Sequence, residues 1–258
     1  MYNSLQLLYI IISLFVTVSI LIASSFLKRE KHKDWFLKFW ALATFIIHIS
    51  IMWVNYLKFG KADAPSSVLF PIFFCNASMY LLLIVAFMKN KKGKAFYYLA
   101  TFTAYAGMLG ALITVFESHY FASSNTNISW GDIKSMLSHS TMLVGCLYLF
   151  VGKFVSIRVS NLIPFSLGLI GCGILGIGIN SLFIACGLNN PNSMYLAESA
   201  LSDVPFLTGP FFAGLFLILI FVFTVIWEMF AYKKNERWYN NLHLTFKNKF
   251  RKEKKESD

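Results

Sequence analysis

The sequence is poor in charged residues, and in acidic residues above all. Only 14% of the 258 residues are charged, and 12 Asp and Glu stand against 23 Lys and Arg. Soluble domains carry about 25% charged residues. Hydrophobic residues make up 57% of this chain. The composition therefore excludes an ordinary soluble domain and indicates a membrane protein.

The sequence also lacks the motifs of several common enzyme and metal-site classes. It has no HExxH helix, no phosphate-binding glycine loop, no Ser-His-Asp motif and no CxxC pair. Its four cysteines lie in or at the edge of apolar stretches: Cys75, Cys146, Cys172 and Cys186. Because a free cysteine behaves as a small apolar residue there, a disulfide framework is not expected.

Long apolar stretches are what the sequence does have. Each has about 20 residues or more, which is enough to cross about 30 Å of hydrocarbon as a helix. We expect helices because every backbone polar group inside lipid needs an internal partner. The seven stretches cover about 4–27, 35–59, 68–88, 95–116, 135–156, 162–186 and 206–232. The sequence thus predicts an all-α seven-transmembrane domain over residues 1–232 and a basic tail over 233–258.

The positions of the basic residues predict the orientation. No Lys or Arg precedes the first span, and its apolar core exceeds the about 7 to 15 residues of a signal peptide. All Lys and Arg except Lys58, Lys61 and Lys134 lie in segments that are cytoplasmic if the N-terminus is outside, or at the adjoining helix ends. We therefore expect a multi-pass plasma membrane protein with a cytoplasmic C-terminus. The net charge of +11 is then mainly an orientation signal, and the tail is expected to be solvated rather than bound to nucleic acid.

With this topology, four polar residues on four spans fall in one layer of the outer leaflet. At about 1.5 Å per helical residue, Cys75 lies roughly 10 Å deep and Asn180 roughly 9 Å. His139 and Asn55 each lie roughly 6 Å deep. Polar groups at such depths cost free energy unless they are paired, and ionisable ones usually face the bundle interior. The shared depth therefore suggests a pocket.

Other residues define the surroundings of this pocket. Glu117 and Thr208 are expected at its edge, and His48 lies deeper, near mid-membrane. The two long outer loops, 117–132 and 187–205, are rich in Asn and Ser and lie above it. Outer loops of this kind often carry function.

The residue types in the pocket suggest thiol chemistry. Cys75 would attack an acyl carbonyl, and His139 would take the thiol proton and return it to the leaving group. Asn76 or Asn180 would bind the developing oxyanion or orient the imidazole, and Asn55 lies in the same layer. No soluble cofactor is implied.

Two simpler interpretations remain open for the same residues. The cysteine and the histidine would then serve only helix packing and a structural hydrogen bond across the bundle. Alternatively, Cys75, His139, His119 and Glu117 would supply metal ligands, although no paired-His spacing supports this.

At these residues the sequence resembles a known family. The matching motifs are a Pro-x-x-x-Cys-Asn string ending at Asn76, a Ser-His pair ending at His139, "GMLGALIT" from Gly107, "GIN" ending at Asn180 and "NSMYL" from Asn192. Together with the seven spans they resemble the YwaF-like bacterial integral membrane proteins, which are related to eukaryotic transmembrane protein 164. The resemblance covers roughly residues 40–232.

The resemblance implies a lipid acyl-transfer enzyme of the bacterial plasma membrane. By position, Cys75 matches the family's cysteine and His139 its histidine, and Asn192 and Tyr195 are expected at the pocket edge. Two positions depart from the family pattern: Phe73 stands where a polar residue is common, and Ser193 where an aromatic residue is common.

Three functions are therefore under consideration. The first is an acyltransferase or acyl hydrolase whose partners are membrane phospholipids, as acyl donor and acceptor. The second is a carrier or channel for a small solute, with His48 as the translocation residue. The third is a receptor or scaffold that uses the basic tail and the outer loops.

Overall fold

A computed structural model describes residues 4–60, 66–116, 129–188, 191–200 and 203–240 of the chain. Within these ranges the regular elements are helices. The α-helices are α1 Ser4–Ser25, α2 Glu30–Phe59, α3 Ser66–Leu69, α4 Phe74–Phe87, α5 Lys94–Phe116, α6 Trp130–Val151, α7 Leu162–Ala185 and α8 Gly209–Ala231. Short 3-10 helices occupy Val159–Asn161, Ser193–Tyr195 and Lys234–Glu236.

Among the described residues, five helices are long and apolar enough to cross a membrane. They are α1, α2, α5, α7 with the 3-10 turn before it, and α8. The expectation of an all-helical chain with several helices able to span a membrane is confirmed, while the count of seven spans is not shown. Of the other two predicted spans, α6 has 22 residues with a polar first half, and α4 has only 14 residues.

The third predicted span is divided rather than continuous. Helix α3 ends at Leu69, residues 70–73 are not helical, and α4 begins at Phe74. Pro71 explains the break, because proline has no backbone N–H to donate and disfavours helix in the residue before it. Cys75 therefore lies in the first turn of a new helix, where the sequence had suggested the interior of a continuous one.

Helices α4, α5 and α6 pack closely around glycines. A Cβ atom at Gly107 of α5 would lie 2.2 Å from the Cys146 sulfur on α6, and one at Gly145 of α6 would lie 2.7 Å from Leu82 on α4. The core continues to α2 on one side and to α7 and α8 on the other. The small residues of α5 thus bring the helices together, as such residues do in membrane bundles.

One buried carboxylate joins segments near the C-terminal end of α8. Glu228, which is 2% exposed, accepts hydrogen bonds from the backbone N–H groups of Val159 at 2.7 Å and Trp238 at 2.8 Å. It thereby ties the connection between α6 and α7 to the chain that follows α8. The sequence offered no motif that would single out this residue.

Candidate active site

A cavity of about 1020 Å³ lies between α2, α4, α5, α6, α7 and α8. Its polar residues come mainly from α2, α4 and α6. They include His48, Cys75, Asn76, Lys134, Ser135 and His139. Its apolar part is formed by α7 and α8, with Leu169, Ile170, Phe212, Phe216 and Leu217. The cavity therefore has the amphipathic lining and the size of a lipid or ligand site.

Cys75 is placed in the cavity by the break before α4. Its thiol donates to the side-chain oxygen of Asn76 at 4.0 Å, and the same oxygen accepts the backbone N–H of Phe73 at 3.3 Å. On α5, a Cβ atom at Gly110 would lie 3.4 Å from the Cys75 Cβ, so this glycine leaves room beside the thiol. Asn76 thus caps the start of α4 and holds the thiol.

His139 lines the cavity, with one ring nitrogen bonded and the other without a described partner. Helix α6 starts at a capping box in which Ser129 and Asp132 bond each other's backbone N–H groups. Two and a half turns later, the Nδ1 of His139 donates to the Ser135 carbonyl at 2.7 Å. Its Nε2 is buried and has no hydrogen-bond partner among the described residues. A neutral imidazole held in this way has its proton-accepting nitrogen unoccupied.

The helices bring Cys75 and His139 to a similar level. Helix α4 is antiparallel to α5, because Ser78 lies beside Gly107 and Cys75 beside Gly110. Helix α6 is also antiparallel to α5, since the start of α1 contacts both the end of α5 and the start of α6. Helices α4 and α6 are therefore parallel.

Leu82 of α4 lies against Gly145 of α6. Two helical turns before these residues lie Cys75 on α4 and Ser138, the neighbour of His139, on α6. Within the described residues, the thiol bonds Asn76 and makes no hydrogen bond with the imidazole. The two groups therefore line the same cavity at a similar position along the helix axes.

Two further basic side chains face the same cavity. Lys134 is one turn before His139 on α6 and lies close enough to Cys75, His48 and His139 to interact with them electrostatically. His48 on α2 is 2% exposed, is hydrogen-bonded to the backbone of Val68, and has a buried Nε2 without a described partner. The sequence analysis had placed His48 apart from this layer and had noted Lys134 only as an exception to the charge distribution.

The segment 192–196 contributes one wall of the cavity through residues 194–196. The Met194 N–H donates to the Ile72 carbonyl at 2.7 Å, and the Tyr195 ring stacks on Phe73 with centroids 5.2 Å apart. Met194 and Tyr195 have φ values of 56° and 52°, which non-glycine residues seldom adopt and which cost free energy. Gly209 is required here, because a Cβ would lie 2.2 Å from the Met194 carbonyl oxygen.

The predicted site residues divide into two groups. Cys75, Asn76, His139 and Tyr195 line the cavity. The lining does not include Asn55, Asn180, Asn192 or Thr208. Glu117 and His119 lie outside the described residues.

Two of the asparagines outside the lining, Asn180 and Asn192, bond the wall segment instead. Asn180 accepts the Ser193 N–H at 2.8 Å, and Asn192 accepts the N–H groups of Ala197 and Glu198 at 3.1 Å each. Asn55 is half-buried on α2, and Thr208 immediately precedes α8. Residues predicted at the same depth in the membrane therefore do not all point their side chains into the cavity.

Lys134 and Ser135 are cavity residues that sequence reasoning missed. A signal for Lys134 was present, since it is one of the few basic residues outside the cytoplasmic segments. An isolated cation on the predicted outer side has no part in the orientation signal and calls for another explanation.

Comparisons of the chain with protein-family models, curated proteins and solved structures find no match. The resemblance to YwaF-like proteins stays a prediction from its motifs. In the described part of the chain, no group of three His, Cys, Asp or Glu side chains is placed to hold a metal ion. The case for a function is therefore argued from the geometry of the cavity.

Proposed function

We propose that the protein is a phospholipid acyltransferase or acyl hydrolase of the plasma membrane, with Cys75 as nucleophile and His139 as general base. One observation carries the proposal: Cys75 and His139 line the same largely apolar cavity, and the Nε2 of His139 is buried without a hydrogen-bond partner among the described residues. In this proposal α4 with the segment before it and α6 complete seven spans. The N-terminus is outside, and the site faces the outer leaflet.

The cavity suits a lipid substrate. An acyl chain can pack against the apolar side chains of α7 and α8, among them Leu169, Phe212 and Phe216. The ester carbonyl then lies toward the polar end with Cys75, and the lipid enters sideways from the bilayer. Because the chain leaves hydrocarbon rather than water, its transfer gains no hydrophobic free energy, and binding depends on how closely the cavity fits the chain.

The chemical steps use residues of the cavity alone. The Cys75 sulfur attacks the ester carbonyl carbon while the thiol proton moves to the Nε2 of His139. The oxyanion lies at the start of α4, where the first backbone N–H groups have no partner within the helix. The ester C–O bond breaks, and His139 returns the proton to the leaving alcohol, which is the lysolipid.

The second half of the reaction restores the thiol. An acceptor alcohol or a water molecule attacks the thioester carbonyl and gives its proton to His139. The C–S bond breaks, and the proton returns to the sulfur. An alcohol acceptor makes the enzyme a transferase, and water makes it a hydrolase.

Trapping the thioester tests this proposal. Purified protein in lipid nanodiscs is incubated with a phospholipid whose acyl chain is labelled, and hydroxylamine-sensitive adducts are mapped by mass spectrometry. We expect the label on Cys75, its loss in Cys75→Ser, and turnover reduced about 10²-fold or more in His139→Ala. Cys172→Ser is the matched control, because Cys172 lines the same cavity away from His139. Turnover that persists in Cys75→Ser would contradict the assignment.

A second candidate, a small-solute carrier, is favoured by the break between α3 and α4. Broken helices with polar groups near mid-membrane are typical of transporters. His48, with its buried unpartnered Nε2, would be the translocation residue. Solute uptake into proteoliposomes that His48→Ala abolishes and Cys75→Ser leaves unchanged would favour this function over the enzyme.

A further inference from the structure

Lys134 lies at the polar end of the cavity, and no residue in the described part of the chain neutralises its charge. It is half-buried and makes no hydrogen bond or ion pair with any residue that the structure describes. The described ion pairs, Glu30–Lys33, Asp34–Lys38 and Asp34–Lys91, join residues of the predicted cytoplasmic side. A charge at this depth is costly unless something compensates it, so its position calls for an anion.

The surroundings of Lys134 also favour the binding of an anion there. The cavity lining contains no Asp or Glu side chain among the described residues. Asp132, the acidic residue closest along the chain, is occupied with Ser129 in the capping box of α6. The starts of α4 and α6 both lie toward this end, and helix N-termini carry a partial positive charge that attracts anions.

The other polar groups of the cavity do not neutralise Lys134. The Cys75 thiol donates a hydrogen bond to the side-chain oxygen of Asn76, and the Nδ1 of His139 donates one to the Ser135 carbonyl. His48 and His139 are further potential cations rather than counter-ions. The polar end is therefore basic, and it adjoins an apolar chamber formed by α7 and α8.

We propose that Lys134 binds the phosphate group of an amphiphile whose chain occupies the apolar chamber, so that the cavity selects phospholipids over phosphate-free lipids of the same chain length. The inference that this ligand is also the acyl donor rests on the proposed function. The binding step does not, because it needs only the cavity and the cation. A phosphate held by Lys134 would set the glycerol backbone beside Cys75.

Photo-crosslinking measures this selectivity without any turnover. Protein in phosphatidylcholine nanodiscs is exposed to chain-diazirine phosphatidylglycerol or to the matching diazirine diacylglycerol, and crosslinks to α7 and α8 are mapped. We expect about tenfold higher capture of the phosphatidylglycerol probe, loss of that preference in Lys134→Gln and its retention in Lys134→Arg. Equal capture of the two probes by the parent protein would overturn the proposal.

Lys58→Gln is the matched control for this experiment. Lys58 is an exposed residue in the last turn of α2, on the same predicted side of the membrane, and it does not line the cavity. Its variant should keep the parent's preference. A preference lost equally in Lys58→Gln and Lys134→Gln would mean a general surface charge effect and would overturn the site.

Two further arms separate the possible outcomes. Complete displacement of the lipid probe by excess soluble glycerol phosphate would overturn the lipid assignment in favour of a water-soluble phosphate ester, whereas no displacement supports the lipid. Selective capture through Lys134 without a Cys75 thioester would support this inference and contradict the proposed enzyme. A Cys75 thioester formed equally well from both lipid classes would support the proposed enzyme and contradict the phosphate selectivity of Lys134.

Discussion

At the scale of single residues, the cavity is defined by groups that the protein leaves without partners. The Nε2 atoms of His48 and His139 are buried without a described hydrogen bond, and Lys134 has no described counter-ion. Unpaired polar groups of this kind are rare in folded proteins because each costs about 1–3 kcal/mol. The two histidines and Lys134 line one cavity, although other buried atoms, such as the Trp40 Nε1 and the Tyr148 hydroxyl, also lack a described partner.

Glu228 shows the opposite arrangement, a buried charge whose bonds are made. We expect Glu228→Ala to lower the free energy of unfolding by about 2–3 kcal/mol, since hydrogen bonds to charged groups contribute about 1.5–3 kcal/mol and their buried donors would lose their acceptor. Thermal unfolding in detergent, followed by fluorescence-detected size exclusion, measures the effect.

The control for this prediction is Glu30→Ala. The Glu30 side chain is 82% exposed and pairs only with Lys33 at the start of α2. Exposed ion pairs contribute little to stability. An equal loss of stability in the two variants would mean that the backbone bonds of Glu228 have no special role.

At the scale of elements, the divided third predicted span and the segment 192–196, which is predicted to lie outside and is called the outer segment below, build the site together. The break at residues 70–73 exposes the Ile72 carbonyl, which accepts the Met194 N–H, and turns Phe73 toward Tyr195. Through the same contacts, the outer segment covers the start of α4. The two irregular segments therefore position Cys75, and neither would be stable alone in lipid, where backbone groups must be paired.

Loosening the outer segment should make Cys75 more accessible from outside. In Asn192→Ala, the N–H groups of Ala197 and Glu198 lose their acceptor and the Glu198 carbonyl loses its donor. We expect faster labelling of Cys75 by a membrane-impermeant maleimide, measured by peptide mass spectrometry, with little change in the unfolding temperature.

Asn192→Asp is the conservative partner of this variant. Its carboxylate keeps the acceptor for both N–H groups, so the labelling rate should stay closer to that of the parent. Identical rates in parent, Asn192→Ala and Asn192→Asp would show that the segment does not control access to Cys75.

At the scale of the whole molecule, the distribution of charge predicts how the bundle lies in the membrane. Basic residues gather in the loops between α1 and α2 and between α4 and α5, and in the segment after α8. The structure describes helices and their packing, and the orientation follows from the positive-inside rule.

Reporter fusions test this orientation. Alkaline phosphatase fused after Gly60 should be active because that point is predicted outside, and fused after Gly93 it should be inactive. Green fluorescent protein at the same two points should give the reverse pattern. Activity of the phosphatase after Gly93 but not after Gly60 would reverse the topology and place the cavity toward the cytoplasm.

Much of the architecture follows from the sequence alone. Length and hydropathy determine where helices form, because lipid leaves the backbone no other partner. The bounds of α1, α5, α7 and α8 agree with the predicted spans to within about three residues, a normal uncertainty of helix ends. Composition also excludes the soluble enzyme classes, since too few charged residues exist to form a solvated surface.

The tertiary structure alone decided which polar residues meet. Depth along a helix can be counted from sequence, but the direction of a side chain around the bundle depends on packing. Cys75 and His139 face one cavity with Lys134, while Asn180 bonds the outer segment and Asn55 lies outside the lining. Contacts such as Gly107 against Cys146 fix the rotation of neighbouring helices, because no other rotation allows so close an approach.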